Sequence, residues 1–156
     1  MEVSITVNGE PWPLDVAPAD VLLDVLRERI GVKSPKIGCE RGDCGSCTIL
    51  LDGRTVRSCL VLAVEADGHE VTTVEGVGAE QLSELQNLFI SNNSFQCGFC
   101  APGIVLSATE LLAANPDPSR RDVQEALSGN LCRCTGYEPI IEAVLAAGVR
   151  AKGGSS

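Results

Sequence analysis

KIGCERGDCGSCTILLDGRTVRSC, residues 36 to 59, carries four cysteines at the spacing C-x4-C-x2-C-x11-C: Cys39, Cys44, Cys47 and Cys59. Gly38, Gly42 and Gly45 punctuate the stretch. They let the loop take positive φ and turn its backbone N–H groups towards the sulfurs. Immediately afterwards Cys47-Thr48-Ile49-Leu50-Leu51 reads as a strand, Asp52-Gly53 as a turn, and residues 54–58 as a returning strand. A loop tied down by thiols and leading straight into a hairpin makes this half of the chain a small sheet.

Working outward, Val3, Ile5 and Val7 alternate with Glu2, Ser4 and Thr6, the period of a half-buried strand. Asn8-Gly9 supplies a hairpin turn, with the returning strand expected around residues 13–17. Asp20 is placed to cap a helix carrying Leu22, Leu23, Val25, Leu26 and Ile30, with Gly31 as its stop. VTTVEG, residues 71–76, closes the sheet. Two strands, a crossing helix and then further strands is the order of a β-grasp domain, here 1–76, with the boundary near Gly76–Gly78.

From there the period changes. QLSELQNLFI, residues 81–90, sets Leu82, Leu85, Leu88 and Phe89 on one helical face. Pro102 suits the first turn of a second helix that runs to Asn115-Pro116. Ser119 with Asp122 forms a capping-box pattern for a third helix ending at Gly129. Thr135 with Glu138 repeats the pattern for a fourth, towards Ala147-Gly148. Four short helices with brief connections predict a four-helix bundle over 77–150, so the fold class is α+β. Residues 151–156 read as a disordered tail.

Composition narrows the function. The 156 residues carry a net charge of −9, against nucleic acid as a partner, because phosphate binding needs basic clusters. No stretch approaches the ~20 apolar residues of a membrane span. The N-terminus lacks the basic start and apolar run of a secretory signal, which points to the cytoplasm. Disulfides are rare there, so eight cysteines in such a chain point to metal. Each half is also small enough to need a staple. No nucleophile–base pair, phosphate-binding loop or zinc-hydrolase motif is present, so substrate chemistry is not expected in this chain.

The first three cysteines of the opening stretch have the plant-type [2Fe–2S] spacing. Zinc sites generally use two closely spaced pairs, a poorer fit here. The second set is Cys97 and Cys100 in FQCGFCAPG with Cys132 and Cys134 in NLCRCTGY, spaced C-x2-C-x31-C-x-C. Each pair directly precedes a predicted helix, whose free N–H groups favour a negative centre. If those helices pack side by side, the four thiols meet at one end of the bundle. Spacing alone does not separate iron–sulfur from a Cys₄ zinc staple at this second set. The neighbouring redox motif favours iron–sulfur, because a second redox centre extends a wire that zinc would end.

GCERGDCGSC, QCGFCAPG and GNLCRCTGY, in that order, resemble the small iron–sulfur subunit of the xanthine oxidase (molybdenum hydroxylase) family, over roughly residues 2 to 148. The resemblance implies two [2Fe–2S] clusters, one in a plant-ferredoxin-like domain and one in a helical domain. It implies an electron-transfer subunit of an oxidoreductase complex, with substrate chemistry at a molybdenum–pterin cofactor in a large partner subunit. A medium subunit carrying FAD and a heterotrimer, single or dimerised, are further expectations. The flavin and molybdenum domains of fused relatives would here be separate polypeptides, or have been cut away.

The Cys97, Cys100, Cys132 and Cys134 cluster would lie nearest the pterin, and the Cys39, Cys44, Cys47 and Cys59 cluster nearer the acceptor. Gln96 matches a glutamine that contacts the pterin, and Cys134 the ligand near its amino group. A free-standing two-cluster ferredoxin is the alternative reading. His69, Trp12 and Tyr137 are read as surface, packing or loop residues without a functional role, and Arg133 is left open between offsetting cluster charge, pairing with a partner carboxylate and simple exposure.

Overall fold

The computed structural model describes residues 1–153. Strand β1 (Glu2–Val7) turns through Asn8 and Gly9, at φ 52° and 83°, into β2 (Glu10–Asp15). Two successive positive φ angles are what a two-residue hairpin turn needs, and Asn-Gly supplies them at low cost. The turn pairs Val7 with Glu10, so β2 begins three residues before the expected 13–17. Pro11 and Pro13 are tolerated because β2 is the edge of the sheet, whose order is β2-β1-β5-β3-β4.

Helix α1 (Leu22–Asp24) runs on as a π-helical segment, Val25–Ile30, and ends at Gly31 with φ 89°. Asp20 does not cap it. Its carboxylate instead accepts from the Ala17 N–H at 2.9 Å, closing the turn before the helix. Strands β3 (Thr48–Leu51) and β4 (Arg54–Arg57) form the hairpin expected after the cysteine loop. Strand β5 (Glu70–Thr72) pairs parallel with β1 and antiparallel with β3. It stops short of the expected 71–76 because Thr73 leaves the ladder to bond the Asn8 side chain, donating its N–H to Oδ1 at 2.9 Å. Val3, Ile5, Val7, Leu22, Val25, Leu26, Ile49 and Val71 form the core between sheet and helix.

Four helices follow: α2 (Glu84–Ser91), α3 (Ala101–Ala114), α4 (Arg120–Leu127) and α5 (Glu138–Gly153). They share one apolar core that includes Leu85, Phe89, Ile104, Ala108, Val123, Leu127, Ile140 and Val144. Ser83 and Gln86 make a capping box, so α2 starts at Glu84 rather than at 81, and Leu82 is exposed instead of lying on the buried face. The Ser119–Asp122 box forms as expected. The Thr135–Glu138 box does not, because the Thr135 hydroxyl is engaged inside the cysteine loop. Helix α5 passes through Gly148, where a Cβ would come within 2.8 Å of Pro118 Cδ. That glycine therefore admits the Pro116–Pro118 crossing rather than ending the helix. Residues 151–153, expected in the tail, continue α5, and 154–156 lie outside the described residues. Among the described residues no helix is long and apolar enough to cross a membrane.

Helix α3 joins the two halves. Gly103 to Ala108 are all buried, since one side of α3 meets the other helices and the remainder packs on β3 and β4. A helix buried on two sides must be apolar or small nearly all round, and IVLSA is both.

Candidate metal centres

The first set of cysteines sits on the loop between Ile37 and β3, with Cys59 delivered by the short 3-10 turn Ser58–Leu60 after β4. Three backbone N–H groups, from Arg41, Asp43 and Cys44, donate to Cys39 Sγ at 3.4, 3.3 and 3.4 Å. A fourth, from Ser46, donates to Cys44 Sγ at 3.5 Å. Donors to sulfur stabilise its thiolate, and the N–H groups of Arg41 and Cys44 bring the Cys39 thiol down to about 6. Burial, followed by the neighbouring Cys47 sulfur, pushes Cys59 up to about 11. The loop fits closely around the sulfurs, since a Cβ on Gly38 would lie 2.7 Å from Cys44 Sγ.

The second set converges at the N-terminal ends of α3 and α5. Cys97 and Cys134 approach to 3.6 Å between sulfurs, and both are exposed. Burial, then the Cys132 side chain, pushes Cys100 up to about 12. Burial also opposes ionisation of Cys132, but the Thr135 hydroxyl and loop N–H groups outweigh it and lower that thiol. The Phe99 backbone N–H and the Cys134 side chain lower Cys97, while the Cys97 side chain raises Cys134. Gln96, also exposed, donates from Nε2 to the Cys134 carbonyl at 3.2 Å, so the two residues expected near a pterin are neighbours. None of the eight cysteines is in a disulfide. Among the described residues, no group of three or more His, Cys, Asp or Glu is arranged to hold a single metal ion.

The thiols of each set thus influence one another, and in the first set N–H donors fence Cys39. Soft thiolates suit iron–sulfur chemistry, and N–H donors aimed at sulfur suit a centre that carries net negative charge. The residues fit two [2Fe–2S] groups, one per set.

The two loops touch. Leu131 N–H donates to the Cys44 carbonyl at 2.8 Å, so a single hydrogen bond links the residue before Cys132 to a cysteine of the first set. Asn130, 2% exposed, donates to Gly45 O and Thr48 Oγ1 at 3.2 Å each and accepts from Ser107 Oγ at 2.8 Å. Arg57 donates to Gly129 O at 2.8 Å, and the Lys36 ammonium lies 5.5 Å from the Phe99 ring centre.

Sequence reasoning missed three residues here. Tyr137, at φ 70°, donates its hydroxyl to Asn130 O at 2.8 Å and accepts from Cys132 N–H at 2.9 Å, which closes the loop on itself. Thr135 was expected as a helix cap, and Asn130 was given no role. Their setting inside GNLCRCTGY was the available signal, since polar residues flanking metal-ligating cysteines commonly orient them.

Residues 5–76 match the family described as the 2Fe-2S iron–sulfur cluster binding domain, and residues 73–145 the [2Fe-2S] binding domain. The second match spans Cys97 to Cys134, which favours iron–sulfur over zinc at the second set. The chain is 51% identical over 145 residues to the nicotine 6-hydroxylase small subunit of Paenarthrobacter nicotinovorans, covering 93% of this chain and 88% of that one. It is 41% identical over 146 residues to the xanthine dehydrogenase iron–sulfur-binding subunit of Escherichia coli O157:H7, covering 92% and 91%. The crystal structure of quinoline 2-oxidoreductase from Pseudomonas putida 86 superposes with a TM-score of 0.92 at 50% identity, over 100% of this chain and 98% of that one. Eight thiols in two sets, on this fold and at these identities, place the chain in the xanthine oxidase (molybdenum hydroxylase) family, among its small [2Fe–2S] iron–sulfur subunits.

Proposed function

We propose that the chain relays electrons between a molybdenum–pterin centre in a large partner subunit and a flavin in a medium one, within a heterotrimeric cytoplasmic oxidoreductase. The observation that carries this reading is the Leu131 N–H bond to the Cys44 carbonyl, which holds the two thiol sets together. Cys39, Cys44, Cys47 and Cys59 would hold one [2Fe–2S] group in a ferredoxin-like domain, 1–76. Cys97, Cys100, Cys132 and Cys134 would hold the other in a four-helix bundle domain, 77–150. When bound, each group accepts and returns one electron at a time.

The chain's own residues supply rigidity, donors and exposure. N–H groups of the first loop offset added negative charge, and the buried Asn130 fixes one loop against the other. Gln96, Cys97 and Cys134 are exposed at one edge, which supports docking of that edge on the pterin. An amide offers both donors and an acceptor to a pterin rim. With each oxidised group adding two negative charges, the formal charge falls from −9 to −13, which favours a large permanent interface covering part of the surface, ~2,000 Å² or more.

The test is anaerobic purification of the complex from its native source, with metal analysis and EPR during stepwise reduction. About four irons per small chain, two [2Fe–2S] signals and co-purifying molybdenum are expected. Zinc at the bundle set would break the relay, and a chain purifying alone with both clusters would favour a free ferredoxin.

A further inference from the structure

We propose that Thr135 is a positioning residue that sets the reduction potential of the bundle centre through the Cys132 sulfur. The proposal rests on the [2Fe–2S] reading above. Thr135 Oγ1 lies 3.0 Å from Cys132 Sγ. A ligand thiolate has no hydrogen to give, so the hydroxyl is the donor. The backbone orients it: Tyr137 N–H donates to the same oxygen at 3.1 Å, leaving the hydroxyl hydrogen for sulfur. Tyr137 is held in turn by its phenol, bonded to Cys132 N–H and Asn130 O.

The two sets differ in this respect. Among the described residues, Thr135 is the one non-cysteine side chain hydrogen-bonded to any of the eight sulfurs. The bonds to Cys39 and Cys44 from outside the thiol set come from the backbone. Backbone donors survive nearly any substitution, whereas a hydroxyl is set by a single residue. When one electron enters, the charge facing Thr135 grows by one unit, no thiolate bond forms or breaks, and no proton moves. A donor to that sulfur stabilises the reduced state more than the oxidised one, and so raises the potential. Thr135 therefore separates the bundle potential from that of the first centre.

The experiment compares wild type, Thr135→Val and Thr135→Ser in the iron-loaded full chain, by EPR-monitored potentiometric titration under anaerobic conditions. The bundle signal is assigned by its loss in Cys97→Ser. Wild type must show both signals first; a missing second signal there overturns the cluster reading and this inference with it, whereas two wild-type signals with unshifted variants overturn this inference alone. Thr135→Val should lower the reduced-to-oxidised ratio of the bundle centre about tenfold at fixed potential, equivalent to 59 mV for one electron. The first centre should stay put, and Thr135→Ser should recover the wild-type ratio. A valine variant that titrates like wild type, equal shifts in both centres, or a serine variant that does not recover overturns the proposal. If the valine variant loses bundle iron, a serine variant with wild-type iron and potential upholds it, and a serine variant that also loses iron overturns it.

Discussion

Replacing Gly103 with alanine sets helix propensity against tertiary packing. Gly103 lies in the first turn of α3, where alanine should stabilise an isolated helix by up to about 1 kcal/mol. In the folded chain, its Cβ would stand 2.5 Å from the Gly45 carbonyl oxygen and 3.0 Å from Asn130 Nδ2. Ordinary contact begins near ~3.5 Å, so the helix and the first cysteine loop would have to part by about 1 Å. That separation stretches the Asn130–Gly45 bond from 3.2 Å and the Leu131–Cys44 bond from 2.8 Å towards or beyond the limit of hydrogen bonding. Two or three lost bonds at ~1 kcal/mol each, with buried groups left unpaired, outweigh the propensity gain. The net expectation is a loss of about 2 kcal/mol, or roughly 4–8 °C in apparent melting temperature for a chain of this size. Cluster release makes the transition irreversible, so wild type and variant are compared at one scan rate, by far-UV circular dichroism and visible absorbance together. A melting temperature equal to or above wild type would refute the packing argument and leave propensity the winner.

Two further outcomes follow from the geometry. Tyr137→Phe removes the bonds to Cys132 N–H and Asn130 O, costing ~1–2 kcal/mol, and should speed chelator removal of iron at the second set while iron at the first set leaves at the wild-type rate. Burial acts to raise the Glu75 carboxyl, but bonds from the Ser34 hydroxyl, the Thr73 hydroxyl and the Ser34 N–H hold it below the usual range. Its contribution is then present above the unfolded value near ~4.3 and is lost as pH falls through the lowered folded value. Glu75→Gln should therefore melt below wild type at neutral pH, with the gap closing in acid; a gap constant with pH would exclude this linkage.

Local features carried most of the first half of the chain. The Asn8-Gly9 hairpin, the Gly31 helix stop and the strand pair around Asp52-Gly53 depend on neighbours in sequence, and residue types alone announce them. Periodicity likewise announced four helices after residue 80. Where a distant segment intervened, the local reading failed. β5 stopped early because Thr73 bonds Asn8, 65 residues away. Thr135 is a different case, since a sulfur only three residues away, Cys132, drew it from its expected capping role. Gly148 looked like a helix end but makes room for Pro118.

The same division holds at the candidate site. The spacings of Cys39, Cys44, Cys47, Cys59, Cys97, Cys100, Cys132 and Cys134 are covalent facts about the chain, and they were enough to sort eight thiols into two sets. How those sets face each other was not legible. It depends on Gly45 and Gly103 letting two backbones approach, on Asn130 bonding across a gap of 85 residues, and on Leu131 meeting Cys44. Sequence spacing determines which groups can share one loop. Only the packing of α3 against β3 and β4 decides which loops meet, because a close approach between distant segments leaves no period in the chain that forms it.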